Sequence, residues 1–158
     1  MTQEPADPRH RVAMLALALQ GRPGWRISFD ELDRESPSYT ADTLRVLAER
    51  HHPAELWLLM GTDMLAYLDR WKDPGEIVRL ARIAAFQREP FVGERLCVPE
   101  IPGLSGRLEV FDAGSVRISS SGLRETLARG MSPEGCVPRP VAEYSTKHGL
   151  YRSGTATR

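Results

Sequence analysis

Residues 55–60 read Glu-Leu-Trp-Leu-Leu-Met and run straight into Gly61-Thr62-Asp63. A nearly continuous apolar run closed by a glycine is the pattern of a strand buried on both faces, as the strands of parallel sheets are. That run commits the chain to an α/β fold, because parallel strands need crossover connections and helices usually provide them.

The remaining pattern supplies those helices and further strands. Residues 11–20 (RVAMLALALQ) read as a short helix stopped by Gly21 and the Arg22-Pro23-Gly24 turn. Residues 25–29 (WRISF) are short and β-prone. Thr40 is the expected N-cap of the next helix, with Asp42 favourably placed in its first turn and Leu44, Leu47 and Ala48 forming its apolar stripe. A short helix carrying Leu65 and Leu68 is expected to reach Trp71, and residues 76–80 look helical after Pro74-Gly75. Strands are expected at 81–86 (ARIAAF) and 107–111 (RLEVF), and helices at 119–129 and 140–148. Residues 87–105 are irregular. The whole reads as one domain over 1–158 with a frayed tail from 152.

Charge narrows the function classes. Lys plus Arg (21) balances Asp plus Glu (21), so no broad positive field exists to gather nucleic acid or an anionic membrane, and any phosphate must be held locally. Cys97 and Cys136 form no CxxC pair, which indicates neither a zinc site nor a disulfide framework. No stretch approaches the roughly 20 apolar residues of a membrane span, and the polar start MTQEPADPRHR lacks the apolar core of a signal peptide. The expected compartment is the cytoplasm.

Two segments fall where open parallel sheets bind ligands, at strand carboxyl ends. In Gly61-Thr62-Asp63 the glycine permits close backbone approach and Asp63 can accept from ribose hydroxyls, although the triplet alone also reads as a glycine turn with an N-cap. In Ile118-Ser119-Ser120-Ser121-Gly122-Leu123-Arg124, serines open a helix whose first amides form an anion site, and Arg124 can fork onto phosphate oxygens. That segment alone also reads as an N-cap serine with a solvated arginine. Trp71 extends the Leu65, Leu68 spacing, which by itself favours core over ligand platform. None of the four histidines has HExxH or HxGH spacing, and no Ser/His/Asp triad or P-loop is present.

In order along the chain, PSYTADTL (37–44), LLMGTDMLAYLDRW (58–71), Arg88, ISSSGLR (118–124) and VPRPVAEYSTKHGLY (137–151) resemble the bacterial nicotinate-nucleotide adenylyltransferase family. The resemblance covers roughly residues 8–151. It implies a Rossmann-like nucleotidyltransferase fold with a parallel sheet. The implied reaction joins ATP, carried with Mg²⁺, to nicotinate mononucleotide, giving nicotinate adenine dinucleotide and pyrophosphate. Carried over by position, Ser119, Ser120 and Arg124 would hold ATP phosphates, and Gly61 and Asp63 would meet the nucleotide ribose. The backbone at Tyr39 and Thr40 would meet the nicotinate carboxylate, Trp71 would stack on the pyridine ring, and Arg88 would contact phosphate. The partners implied are these small molecules, without nucleic acid or membrane.

The family opens with a strand and a GGTFDPxHxGH-type loop whose histidines bind ATP phosphates and the transition state, and residues 1–158 contain no such motif. No catalytic residue is therefore assigned in this chain. The expectation is a late-assigned start codon or a truncated gene product, with the first two strands of the sheet missing. In the Rossmann order 3-2-1-4-5, residues 26–29 would form the third strand and 55–60 the fourth, leaving an apolar edge on the latter. The alternatives are a catalytically dead remnant that only binds nucleotide, and a sister adenylyltransferase of the phosphopantetheine or nicotinamide-mononucleotide type.

Overall fold

The computed structural model describes residues 5–35, 37–87, 96–112, 114, 118–133 and 135–152. They fall into two compact units, Asp33–Arg117 and Met1–Leu32 with Ile118–Arg158.

The central unit holds the sheet. Three strands, β1 (Leu56–Gly61), β2 (Ala81–Gln87) and β3 (Leu108–Asp112), lie in the order β1-β2-β3, all parallel. Registers Leu58↔Ile83 and Ile83↔Leu108 put Leu56, Leu58, Met60, Ala81, Ile83, Ala85 and Leu108 on one face by the two-residue period of a strand. Against that face pack Ala41 and Leu44 of α2 (Thr40–His51), Leu65 of α3 (Thr62–Leu65), and Ile77 and Val78 of α4 (Pro74–Leu80). Leu65, Leu68, Ile77 and Ile83 are fully buried there. At about 1.5–3 kcal/mol per buried aliphatic side chain, this cluster supplies much of the unit's folding free energy.

The expectation that the strand at 55–60 is buried on both faces is corrected. Trp57 remains 39% exposed and Leu59 60%, whereas Met60 on the opposite face is 9% exposed. The reason is positional. β1 is an edge strand of this sheet, and the core helices of its unit all pack on the Leu58 side. On the other face Arg82 lies 4.8 Å over the Trp57 ring and donates to Glu109 at 2.7 Å, giving a cross-strand row. Phe86 and Phe111, register partners, stack there at 5.3 Å.

The expected strand at 26–29 is not formed. These residues have no regular structure and belong to no ladder, and Trp25 and Phe29 are exposed. β-Propensity makes a strand only when a neighbour offers backbone partners. The helix expected to run from Leu65 to Trp71 is instead α3 followed by a separate 3₁₀ turn, Leu68–Arg70. Thr40 is the first helical residue rather than the N-cap. Tyr39 holds that place with extended backbone and no side-chain cap bond.

The second unit is helical. In α1 (Pro8–Leu19) the Asp7 carboxylate accepts from Arg9 N at 2.8 Å and Pro8 sits in the first turn, so the helix begins three residues before the expected residue 11. Its other helices are α5 (Ser120–Ala128) and α6 (Arg139–Lys147). α1 meets α6 through His10, whose Nδ1 lies 3.0 Å from the Tyr144 hydroxyl.

Candidate active site

In the sheet-bearing unit, the chain leaves β1 at Gly61, which is buried, and turns directly into α3. Asp63 stands exposed in the first turn of α3, at the strand end where such folds place ligands.

A cleft of about 270 Å³ lies in the same unit, lined by Tyr39, Thr40 and Trp71 among others. Two sequence-expected residues at the start of α2 thus meet a third from beyond the 3₁₀ turn. Trp71 is half-buried and packs one part of its surface on the core while also lining the cleft. The core reading of Trp71 is met in part, and the residue also lines a cleft. Arg70 and Lys72 line the cleft as well, and neither was expected from the sequence.

Charged side chains hold this region together. Lys72 Nζ lies 3.0 Å from Asp42 Oδ2 and 4.5 Å from the centre of the Tyr39 ring. Its hydrogen bond and charge, aided by Arg45, hold the Asp42 carboxyl below the usual aspartate range. Arg45 also reaches Asp73 at 3.2 Å and Glu76 at 3.3 Å, which raises the guanidinium's pKa. Asp73 accepts this contact from a left-handed backbone (φ 51°) immediately before Pro74, a conformation aspartate tolerates better than most residues.

The ISSSGLR segment lies in the helical unit. Ser119 is the N-cap of α5, and its Oγ accepts from Gly122 N at 3.1 Å. A Cβ on Gly122 would sit 3.1 Å from that same Oγ, so glycine gives the cap its room. Ser119 and Ser120 are exposed, and Arg124 is half-buried one turn further on. An exposed helix start with serine hydroxyls and an arginine suits a phosphate. Arg88 lies outside the described residues.

A cytidylyltransferase-like family model matches residues 1–126. Among solved structures, the chain is similar to Plasmodium falciparum nicotinic acid mononucleotide adenylyltransferase complexed with APC, with a TM-score of 0.71 at 16% identity, covering 92% of this chain and 76% of that one. The same protein complexed with NaAD gives a TM-score of 0.69 at 17% identity, covering 94% and 76%. These likenesses define a Rossmann-like nucleotidyltransferase fold. In sequence, the chain is 37% identical over 145 residues to a protein of Thermomicrobium roseum, covering 91% of this chain and 68% of that protein. It is 38% identical over 149 residues to one of Dehalococcoides mccartyi, covering 89% and 71%. Both carry the name "Probable nicotinate-nucleotide adenylyltransferase". The chain belongs to the nicotinate-nucleotide adenylyltransferase family.

Proposed function

We propose that this chain serves adenylyl transfer from ATP to nicotinate mononucleotide in NAD synthesis, in the cytoplasm. The observation that carries this reading is the cleft lined by both Trp71 and the Tyr39–Thr40 helix start. A flat aromatic wall suits a pyridine ring, and main-chain N–H groups suit its carboxylate. The α5 start would take ATP phosphates through Ser119, Ser120 and Arg124, and Gly61 and Asp63 would meet ribose. In the reaction, a phosphate oxygen of the mononucleotide attacks the α-phosphorus of ATP. The bond from that phosphorus to the bridging oxygen breaks, and pyrophosphate leaves with the electron pair. No covalent enzyme intermediate is required, so positioning and charge neutralisation do the work.

Among the described residues, no three His, Cys, Asp or Glu side chains come together as a metal site. Mg²⁺ would enter on the ATP phosphates as part of the substrate. Among the same residues no helix is long and apolar enough to cross a membrane.

The test is pyrophosphate release from ATP and Mg²⁺ with nicotinate or nicotinamide mononucleotide. It compares residues 1–158 with the same residues joined to an N-terminal segment bearing the family's HxGH loop. Losing one preorganised donor typically costs about 10²–10³ in rate, so the chain without the loop's two histidines is expected to show no measurable turnover. The joined protein should turn over, preferring the nicotinate form. Turnover by the joined protein with neither mononucleotide would overturn the proposed function.

A further inference from the structure

The cleft around Trp71 carries a charge that the local sequence hides. In Asp69-Arg70-Trp71-Lys72-Asp73 two acids offset two bases, yet the cleft lining includes Arg70 and Lys72 and no acidic side chain. Asp73 is turned away onto Arg45 at 3.2 Å. The two cations are not equivalent. The Lys72 ammonium is already partnered by Asp42 at 3.0 Å and rests 4.5 Å over the Tyr39 ring. Arg70 lies 5.0 Å over the Tyr67 ring, and among the described residues no carboxylate pairs with it. Arg70 is thus an exposed cleft-lining cation whose side chain is free to swing from the Tyr67 ring toward a ligand.

We propose that Arg70 is the residue by which this cleft selects a ring bearing a carboxylate over the same ring bearing a carboxamide, and that Lys72 is a positioning residue. This rests on the reading that the cleft takes the pyridine ring. The two ring forms share shape and stacking surface, so Trp71 holds both alike. A carboxylate gains from an unpaired guanidinium what a neutral amide does not. Lys72, spent on Asp42, acts through the Tyr39 ring. It ties the start of α2, which carries Tyr39 and Thr40, to the segment that carries Trp71, and so keeps the cleft open at one width.

The experiment is calorimetric titration of the full 158-residue chain with nicotinate mononucleotide and with nicotinamide mononucleotide, for the unchanged chain, Arg70→Gln, Lys72→Gln, Lys72→Arg and Trp71→Ala, with thermal melting of each. For Arg70→Gln we expect the acid-to-amide affinity ratio to fall by about tenfold, the lower end for a charge-assisted contact at a solvent-facing site. Lys72→Gln should weaken both ligands equally and leave the ratio unchanged, and Lys72→Arg should restore both. Trp71→Ala should weaken both equally. An unchanged ratio in Arg70→Gln, or equal weakening of both ligands, overturns the proposal while the pyridine site stands if Trp71→Ala weakens both. A ratio that moves with Lys72→Gln overturns the division of roles. Unaltered binding in Trp71→Ala, or no binding of either ligand by the unchanged chain at millimolar concentration, overturns the underlying site reading and the proposal with it.

Discussion

Arg45 Nε lies 3.3 Å from Glu76 Oε1, and through this pair α2 is tied to α4 next to the cleft. The other Glu76 oxygen accepts from Arg79 Nε at 2.7 Å, while Arg45 also reaches Asp42 and Asp73. With Lys72 on Asp42, three bases and three acids form one chain of ion pairs across the two helices. All are at least partly exposed, so each pair contributes little and the network weakens in salt.

Acid should loosen this network. The Glu76 carboxyl falls from its ordinary value of 4.5 to about 2, chiefly through the hydrogen bond from Arg79 and then that from Arg45. Asp42 is lowered as well, chiefly by Lys72. A folded-state value below the unfolded one means the unfolded chain binds more protons in between. The stabilisation is therefore complete above about pH 4.5 and is lost as pH falls toward about 2. Thermal melting from pH 7 to 2 should show a midpoint that is level at first and then declines. Glu76→Gln should decline less steeply over that window, and an acid profile identical to the unchanged chain would remove Glu76 from the account.

Ser119 and Arg124 should separate stability from ligand binding. Ser119→Ala removes the cap on Gly122 N and is expected to cost about 1 kcal/mol of helix stability as well as affinity for ATP. Arg124→Ala leaves the cap intact, so melting should barely move while ATP affinity drops by about ten- to a hundredfold, the loss of one charge-assisted contact. ATP titration beside thermal melting distinguishes the two. Unchanged ATP affinity in Arg124→Ala would dissociate that residue from the phosphate site.

The edge of β1 should govern self-association. Residues Leu56–Gly61 contain no charged side chain, and Leu59 is 60% exposed on the face away from the core. Such an edge invites pairing with another chain. Leu59→Lys should shift sedimentation at high concentration toward monomer while changing stability by no more than about 0.5 kcal/mol. Leu58→Lys, on the core face, should instead unfold the sheet-bearing unit. Equal association by the Leu59→Lys chain would show that some other surface is responsible.

Much of this was legible from local chemistry. The Glu55–Met60 run marked β1 to within one residue, the Ser119 hydroxyl was readable as the cap of α5, and the ordered motifs pointed to the family the comparisons identify. The Asp7-Pro8 start of α1 was also available in the sequence as an N-cap followed by a first-turn proline. Residues 26–29 misled because β-propensity says that a segment tolerates extension, not that a partner lies beside it.

What the sequence by itself determined is therefore most of the elements, their parallel α/β character and the family, since these follow from periodicity, capping residues and ordered motifs along the chain. Tertiary structure alone decided which face of β1 is buried, because that depends on where α2, α3 and α4 pack. It also decided the charge of the cleft. Asp69-Arg70-Trp71-Lys72-Asp73 is neutral as a string, and only the fold turns Asp73 to Arg45 and sets Asp42 on Lys72, leaving Arg70 as an exposed cation lining the cleft. Electrostatic pairing acts through space over a few ångströms, so it is sorted by packing rather than by order along the chain.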